Sequence, residues 1–455
     1  MEPAARTERE VPPDGGSGGG LAAGVSRIWL DCTSTRRRDM NTGIQRVVRN
    51  IVNAAADLST AGLPGACGIG FDSWHGFQKV DRLPLPTRQL PWKQTELPGW
   101  VLGTRHLLQS VGLLEATRSV RRGLGRRWNQ AQTVMRRLSP RGILPGPGDV
   151  LLLIDCLWDI EEAWHDLQWA RQRGARVGAV VYDMIPQEHP HFVAESQRAL
   201  FGNCWSVVRA QTDFLVGISR SVVDDILRYE ERLVGEGWPR YQRPIGWFTL
   251  GAELDAAHSG DPCRPELLAL LPPQAPREAL LMVGSISPRK NHPLVLEALE
   301  LCWQRGSPQK LIVAGGVGWD CESHIGSLCN HPERGRRLFW FPDLSDPELD
   351  HCYRHCRALL APSLAEGFNL PIVEALSRGA TVLASDLPVH REVGGNFAAY
   401  FPPTSAARLA DLVELLRSPG GLPGVADPAQ FRWPDWRESC RQLLTETIRL
   451  ANACP

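Results

Sequence analysis

Short β-rich apolar runs alternate with longer stretches of helical periodicity along most of the 455-residue chain. Runs of this kind are typical of parallel strands that helices cover on both faces of a sheet. The alternation stops between 251 and 277, where five prolines interrupt any regular pattern. The pattern predicts strands in two series: 27–32, 66–71, 150–156, 176–183, 213–219 and 245–250, then 279–283, 310–314, 337–341, 358–361, 381–385 and 398–401.

The length suits two domains of roughly 200 residues each, because one ordinary core does not grow this large. We predict an α/β fold of two Rossmann-like, doubly wound parallel-sheet domains, with a cleft between the carboxyl ends of their strands. The predicted segments are a disordered lead at 1–25, a first domain at 26–252 with an insertion at about 104–142, a linker at 253–277, a second domain at 278–430 and a helical segment at 431–455.

Composition narrows the class of protein. The 50 basic and 50 acidic side chains balance, so net charge indicates no particular partner. The longest apolar runs are far shorter than the roughly 20 residues that cross a bilayer, and the Gly/Ser tract at 15–20 lacks the apolar centre of a secretory signal. The 12 cysteines are scattered singly, which suits buried thiols in a reducing compartment. We therefore expect a cytoplasmic location.

The segment 105–141 is basic, with Glu115 as its one acidic residue. It favours amphipathic helices that contact an anionic membrane surface on its inner face, or a pyrophosphate-linked lipid acceptor. An insertion with a solvated charged face explains the pattern equally well. Nucleic acid is not a predicted partner, because Trp128 is the one aromatic side chain among the arginines. The arginines proposed to face a membrane are Arg118, Arg121, Arg122, Arg126 and Arg127.

The segment 351–356 concentrates His and Cys side chains, which can bind metals. Its two cysteines share the spacing of one buried helical face with Leu349, Tyr353 and Leu359. We therefore favour core packing there and predict no metal site.

The segment 362–376 follows a predicted strand and leads into a predicted helix. Gly367 allows the backbone to approach a ligand, and Pro371 suits the first turn of a helix, whose free amides attract phosphate. The carboxylates of Glu366 and Glu374 can accept hydrogen bonds from sugar hydroxyls. A glycine turn at Gly284 then precedes two cations, within 283–291, that would offset the charge of a diphosphate.

The whole string at 362–376 resembles the donor signature of retaining glycosyltransferases of family 4, also called glycosyltransferase group 1, which have the GT-B fold. The resemblance implies that Glu366 contacts the transferred hexose, that Glu374 contacts the nucleotide ribose, and that Lys290 holds the diphosphate as it leaves. No metal or other cofactor is then needed. Many members have an arginine where this chain has Ser285, and Arg289 is the candidate substitute. The implied donor-binding set is Gly43, Gly284, Ser285, Arg289, Lys290, Phe341, Asp343, Glu366, Gly367, Phe368, Asn369, Leu370 and Glu374.

Three further segments are similar to the family. The segment 341–349 resembles the one that passes the nucleobase, and 386–393 resembles the loop after the donor helix. The segment 41–46 resembles the glycine loop near the donor phosphates, although a helix start capped by Thr42 is almost as plausible. Related enzymes often have His-Asp where this chain has Tyr182 and Asp183. Asp183 is therefore the third predicted catalytic residue, beside Glu366 and Lys290, and His189 is less favoured.

The predicted function is hexose transfer with retained anomeric configuration, from a GDP- or UDP-sugar to a glycan or lipid-linked glycan. The cationic loop at 288–291 looks like that of bacterial mannosyltransferases of surface polysaccharide assembly, so mannose is slightly preferred. The rivals are a sugar-nucleotide epimerase or a phosphorylase on the same fold, and a noncatalytic scaffold that binds sugar nucleotide or lipid. The chain contains neither Asp-x-Asp nor Gly-x-Gly-x-x-Gly, which argues against a metal-dependent transferase and a dinucleotide-binding dehydrogenase.

Overall fold

The computed structural model describes residues 24–37, 42–58, 63–85, 142–155, 161–254, 263–318, 321–418 and 421–454. The predicted N-terminal lead lies almost wholly outside the described residues, and so does the basic segment with its five proposed membrane-facing arginines. Within the described residues, no helix combines the length and apolar character that a membrane span requires.

The first sheet has seven strands in the order β3-β2-β1-β4-β5-β6-β7. Every neighbouring pair is parallel except β2 and β3, which form an antiparallel hairpin at one edge. Central strands such as β4 are buried almost throughout, as expected for a sheet covered on both faces. The strands are β1 (Arg27–Asp31), β2 (Gly65–Asp72), β3 (Gly76–Val80), β4 (Asp149–Leu153), β5 (Arg176–Val181), β6 (Phe214–Gly217) and β7 (Ile245–Trp247).

The second sheet has six strands, all parallel, in the order β10-β9-β8-β11-β12-β13. Its order reverses at β8, which places the ends of β8 and β11 beside each other at a switch point where ligands commonly bind. The strands are β8 (Ala279–Val283), β9 (Lys310–Ala314), β10 (Leu338–Phe341), β11 (Ala358–Ala361), β12 (Thr381–Ser385) and β13 (Ala398–Phe401). The predicted fold of two parallel-sheet α/β domains is confirmed.

Helices connect most successive strands, as right-handed crossovers between parallel strands require. Those of the first half are α1 (Thr33–Arg37), α2 (Gly43–Leu58), α3 (Glu161–Gln172), α4 (Ile185–Glu188), α5 (Glu195–Gln211) and α6 (Arg220–Gly235). Those of the second half are α7 (Pro265–Leu270), α8 (His292–Gln304), α9 (Glu322–Cys329), α10 (Asp346–His355), α11 (Leu370–Leu376), α12 (Pro388–Gly394), α13 (Ala406–Leu415) and α14 (Trp436–Ala453).

The last helix, α14, returns to the first sheet instead of packing on the second. The Cys440 thiol donates to the Ile51 carbonyl in α2 (3.5 Å), and the Ser439 hydroxyl donates to the Thr249 carbonyl (2.6 Å). The buried face of α14 includes Leu443, Leu444 and Ile448. The chain therefore crosses between the domains twice, which ties them together covalently at two places.

Several sequence predictions differ from the structure in detail. β3 was not predicted, because its Gln78 and Lys79 break up any apolar run. The strand predicted at 245–250 ends at Trp247. The helical face predicted around 351–356 is buried at Cys352, Tyr353 and Cys356, but α10 ends at His355 and Leu359 lies in β11, so placing Leu359 on the helix was wrong.

Candidate active site

The loops that follow β8 and β11 meet at the carboxyl edge of the second sheet. Gly284, directly after β8, has φ 141°, and a Cβ there would lie 3.0 Å from Lys290 Cε. The loops are joined by a hydrogen bond from the Leu364 amide to the Arg289 carbonyl (2.8 Å). Asn291, also with positive φ, donates its side-chain amide to the Pro362 carbonyl (3.2 Å). The sequence signature and the cationic loop are therefore brought together, as predicted.

Glu366 lies at the centre of this junction, with its side chain 7% exposed. Lys290 Nζ lies 2.5 Å from Glu366 Oε1, and Arg289 Nη1 lies 2.6 Å from Oε2. The Ser363 hydroxyl donates to Oε1 (2.8 Å). We call these residues, Arg289, Lys290, Ser363 and Glu366, the Glu366 cluster. Two cations against one carboxylate leave a positive charge, which suits a diphosphate group.

Burial and the ion pairs act in opposite directions on the Glu366 cluster. Burial alone would raise the pKa of Glu366, but Arg289 and Lys290 outweigh it and hold that pKa well below its ordinary value. Burial lowers the pKa of Lys290, and the attraction of Glu366 offsets part of this effect. The Glu366 carboxylate therefore stays ionised at neutral pH, and it contacts both cations.

Asp183 follows β5 in the first domain and approaches the same junction from the other side. Its Oδ1 accepts a hydrogen bond from the Ile185 amide (3.1 Å). Burial raises the pKa of Asp183, and the nearby Arg289 lowers it in part. Gly367 explains the close approach, because a Cβ there would lie 1.9 Å from the Tyr182 carbonyl oxygen and 3.1 Å from Asp183 Cβ. The three predicted catalytic residues thus face one junction between the domains.

The start of α11 depends on a residue that the sequence did not indicate, His390. Asn369, at positive φ before α11, donates its side-chain amide to His390 Nε2 (2.9 Å), and His390 Nδ1 donates to the Ser385 carbonyl (2.9 Å). Burial lowers the pKa of His390 to about 4, so the ring is neutral at pH 7 and can accept at Nε2. The sequence shows only a histidine after the signature helix, and its burial became apparent from the structure.

Glu374 lies in α11, away from the Glu366 cluster, and its side chain is 2% exposed. Arg46 of α2, in the first domain, donates to Glu374 Oε1 (2.6 Å), and the Tyr353 hydroxyl donates to Oε2 (2.7 Å). Arg46 also donates to Asp346 Oδ1 (3.0 Å). The sequence placed Arg46 in a loop near the donor but did not indicate its partners.

The remaining predicted donor residues differ in burial, and Gly43 is the one among them that lies in the first domain. Asp343 accepts from Arg264 Nη1 (3.0 Å), and Phe341 is buried at the end of β10. Phe368 is buried, with its ring 6.1 Å from that of Trp433. Gly43 begins α2, where a Cβ would meet nothing within 4 Å. The others, Ser285 and Leu370, adjoin Gly284 and Asn369 in the chain and are partly buried.

Two more contacts join the domains beside this site. The Ser219 hydroxyl donates to the Gly367 carbonyl (2.8 Å). The Glu392 carboxylate accepts from the amides of Arg220 (2.7 Å) and Ser221 (2.9 Å) at the start of α6. A carboxylate at a helix N-terminus is electrostatically favourable, so Glu392 stabilises this approach of the domains.

The first domain adds a polar cavity of about 480 Å³ at the ends of β1 and β2. Its lining residues are Thr33, Arg36, Arg37, Phe71, Asp72, His75 and Gln78. The wholly buried Asp31 lies beneath it and accepts from the Thr33 hydroxyl (2.5 Å). Burial and the neighbouring Asp155 raise the pKa of Asp31 to about 8. Among the described residues, no group of three or more His, Cys, Asp or Glu side chains is arranged to hold a metal ion.

Comparison with known families and curated proteins gives consistent matches. Residues 270–420 match the family model of glycosyl transferases group 1. The serotype-specific mannosyltransferase WbdA of Escherichia coli is 30% identical over 314 residues, which cover 68% of this chain and 38% of that protein. The chain therefore spans less than two fifths of the length of this relative. The O-antigen chain mannosyltransferase RfbU of Salmonella typhimurium is 41% identical over 123 residues, 27% of this chain and 34% of its own.

Among solved structures, HepE of Anabaena in complex with UDP-glucose is similar with a TM-score of 0.52 and 13% identity, over 94% of this chain and 98% of HepE. Sucrose-phosphate synthase of Thermosynechococcus elongatus has a TM-score of 0.50 and 16% identity, over 93% and 94% of the two chains. At such low identity these likenesses concern the fold, and they agree with the two facing sheets. The chain thus has the GT-B fold, and its residues 270–420 form a glycosyltransferase group 1 domain.

Proposed function

We propose that this chain is a retaining glycosyltransferase that moves a hexose from a nucleoside diphosphate sugar to a glycan or lipid-linked glycan. The observation that carries the proposal is the Glu366 cluster, in which the buried Lys290, the partly buried Arg289 and a carboxylate meet at the switch point of the second sheet. The loop at 182–183 of the first domain reaches the same point. This arrangement suits two substrates held between two domains.

Lys290 and Arg289 are the proposed leaving-group residues. A departing diphosphate gains negative charge, and cations held in a buried site stabilise that charge without reorganising. Both cations contact one carboxylate, which restricts their conformations. These two side chains supply the positive charge, and the proposed reaction therefore requires no metal or other cofactor.

In the proposed reaction the acceptor hydroxyl attacks the anomeric carbon from the side on which the diphosphate leaves. The bond from that carbon to the diphosphate oxygen breaks, the bond to the acceptor oxygen forms, and the departing phosphate takes the hydroxyl proton. Glu366 binds hydroxyls of the hexose, and Asp183 contacts the sugar or acceptor from the opposite domain. The site works mainly by orientation and by excluding water.

Mannose is the preferred sugar, and a surface polysaccharide is the preferred class of acceptor. The support is that the curated relatives WbdA and RfbU are mannosyltransferases by name, one serotype-specific and one acting on the O-antigen chain. On the acceptor side we propose the cavity lined by Arg36 and Arg37, whose guanidinium groups suit a phosphate-bearing acceptor. Contact of Arg118–Arg127 with an anionic membrane, on its cytoplasmic face, stays a prediction from sequence.

Thermal unfolding with a panel of GDP- and UDP-sugars tests the donor assignment. A ligand that binds only the folded state raises the unfolding temperature by mass action, so one nucleotide class should stabilise the protein. No shift with any member would overturn the donor site. Lys290→Ala should abolish the shift, whereas Arg305→Gln, which changes an exposed ion pair with Asp411, should keep it.

Incubation with labelled donor separates the proposed activity from its rivals. A transferase consumes donor only with an acceptor, an epimerase changes the sugar without one, and a phosphorylase requires phosphate. Stabilisation by a nucleotide sugar without turnover under any of these conditions would favour the noncatalytic scaffold. Liposome flotation with and without anionic lipid tests the basic segment, and equal recovery in both would discard the membrane hypothesis.

A further inference from the structure

Arg46 forms an ion-paired bridge between the two domains. One of its partners is Glu374, a predicted donor-binding residue. Arg46 extends from α2, beside the first sheet, and its guanidinium contacts both Glu374 of α11 and Asp346 of α10. The side chains of Arg46, Glu374 and Asp346 are 13%, 2% and 14% exposed. We call these three residues the Arg46 bridge.

Glu374 depends on the first domain for its charge balance. Its second oxygen accepts from the hydroxyl of Tyr353, which is neutral and fully buried. Within the described part of the chain, Arg46 is the one cation in ion-pair contact with the Glu374 carboxylate. A buried carboxylate without a cation is unfavourable, so separation of the domains must either rehydrate Glu374 or leave it unpaired.

The same carboxylate retains capacity for a ligand. A carboxylate offers about four lone-pair positions, and the hydrogen bonds from Arg46 and Tyr353 use one on each oxygen of Glu374. Arg46 and Tyr353 hold the group from two sides, which restricts its rotation and directs the free positions. A carboxylate held in this way can accept hydrogen bonds from a vicinal diol at a smaller cost in entropy.

We propose that Arg46 is a positioning residue that orients Glu374 toward the ribose hydroxyls of the donor nucleotide and couples this recognition to the approach of the two domains. The inference rests on the proposed function. Its consequence is that the donor domain alone has an incomplete ribose site, since the residue that orients Glu374 comes from the acceptor domain.

Binding of GDP and UDP, each compared with its 2′,3′-dideoxy analogue, tests the inference by calorimetry on the full chain. Arg46→Gln should weaken binding of the preferred ribonucleotide about tenfold or more, because a buried charge partner is lost. The dideoxy analogue lacks the hydroxyls, so its affinity should change by less than about threefold. Arg46→Lys should fall between, because an ammonium cannot grip both carboxylates in the same fork geometry.

Two controls separate this role from a structural one. Glu392→Gln weakens a contact between the domains that does not involve Glu374, so it should affect ribonucleotide and dideoxy analogue alike. Arg305→Gln removes an exposed ion pair and should change neither. Equal weakening of both ligands by Arg46→Gln and Arg46→Lys, or no weakening, would overturn the inference and leave the proposed function standing. If the wild-type chain binds neither GDP nor UDP, the proposed function itself fails and the inference with it.

Discussion

The two signature glutamates are held in different ways. Glu366 is held entirely within the second domain, by Arg289, Lys290 and Ser363 from neighbouring loops. Glu374 has its cation in the first domain, and Arg46 is 328 residues away in sequence. One carboxylate is therefore prepared by its own domain, and the other is completed only where the domains meet. If the proposed function holds, the charge for the leaving group is supplied within one domain, whereas recognition of the ribose depends on contact between the two.

Among changes to the Glu366 cluster, Lys290→Ala should have the largest effect. It should reduce kcat of sugar transfer by roughly 10²- to 10³-fold, because one preorganised group that stabilises the leaving charge is removed. Steady-state kinetics with labelled donor measures this effect. Arg305→Gln is the matched change of a cation in the same domain, and it should leave kcat unaltered. A Lys290→Ala enzyme within a few-fold of wild type would contradict the leaving-group role.

Gly367→Ala changes the residue at which loops of the two domains are in contact. The new Cβ would lie 1.9 Å from the Tyr182 carbonyl oxygen, so the loops must move apart by a substantial fraction of an ångström or more. Misplacement on that scale can reduce the rate by roughly 10²-fold. Gly326→Ala, in α9 where a Cβ meets nothing within 4 Å, is the control glycine. Unchanged transfer in the Gly367→Ala enzyme would show that the closed contact is not needed.

Lowering the pH should destabilise the second domain, which contains Glu366, because His390 becomes protonated on unfolding. Burial lowers the pKa of this ring from 6.5 to about 4, so the unfolded chain binds the proton first as pH falls. In the fold the ring stays neutral down to about pH 4, so its contribution to stability is complete above about pH 6.5 and is lost progressively as pH falls from about 6.5 to 4. At pH 5 this costs about 2 kcal/mol of unfolding free energy. Denaturant unfolding of wild type and His390→Gln at pH 7.5 and pH 5 should show a smaller pH effect in the variant, and equal effects would refute it.

The smallest expected effect concerns the second contact between domains. Glu392→Gln weakens the carboxylate cap on the start of α6, and such a cap is worth about 1 kcal/mol. This energy is lost only when the two domains are in contact. The donor KM should therefore rise several-fold, while kcat falls less. Kinetics of this variant beside Asp411→Asn, which alters an exposed pair with Arg305, would measure the difference. A loss of kcat as large as that of Lys290→Ala would indicate that Glu392 acts in the chemical step. It would contradict the proposed difference between Glu392 and the Glu366 cluster.

Much of the local structure could be predicted from the sequence because it depends on neighbours in the chain. The apolar runs of β8, β11 and β12 mark buried parallel strands, and they occur where expected. The turn after β8 contains a glycine, and the segment 362–376 contains a proline. Few other residues suit these positions, so the sequence indicates the local structure of both segments. The meeting of Lys290 with Glu366 then follows from the order of the sheet, since β8 and β11 are neighbours.

The unpredicted features involve residues far apart in sequence or without an apolar pattern. The polar edge strand β3 pairs through its backbone, which side-chain periodicity does not reveal. The helix α14 was expected as a helix, but amphipathicity alone does not indicate which sheet its apolar face covers. The bonds of Asn369 to His390 and of Glu374 to Arg46 likewise depend on packing between distant segments.

The sequence by itself determined two doubly wound α/β domains and the identity of the charged groups at the switch point of the second. Local periodicity is enough for the domains, because strands are shaped by adjacent residues, and the resemblance to family 4 glycosyltransferases indicated the charged groups. Only the tertiary structure decided which cation each carboxylate receives. Ion pairing requires contact within a few ångströms, and for Glu374 that contact exists only because the first domain packs against the second.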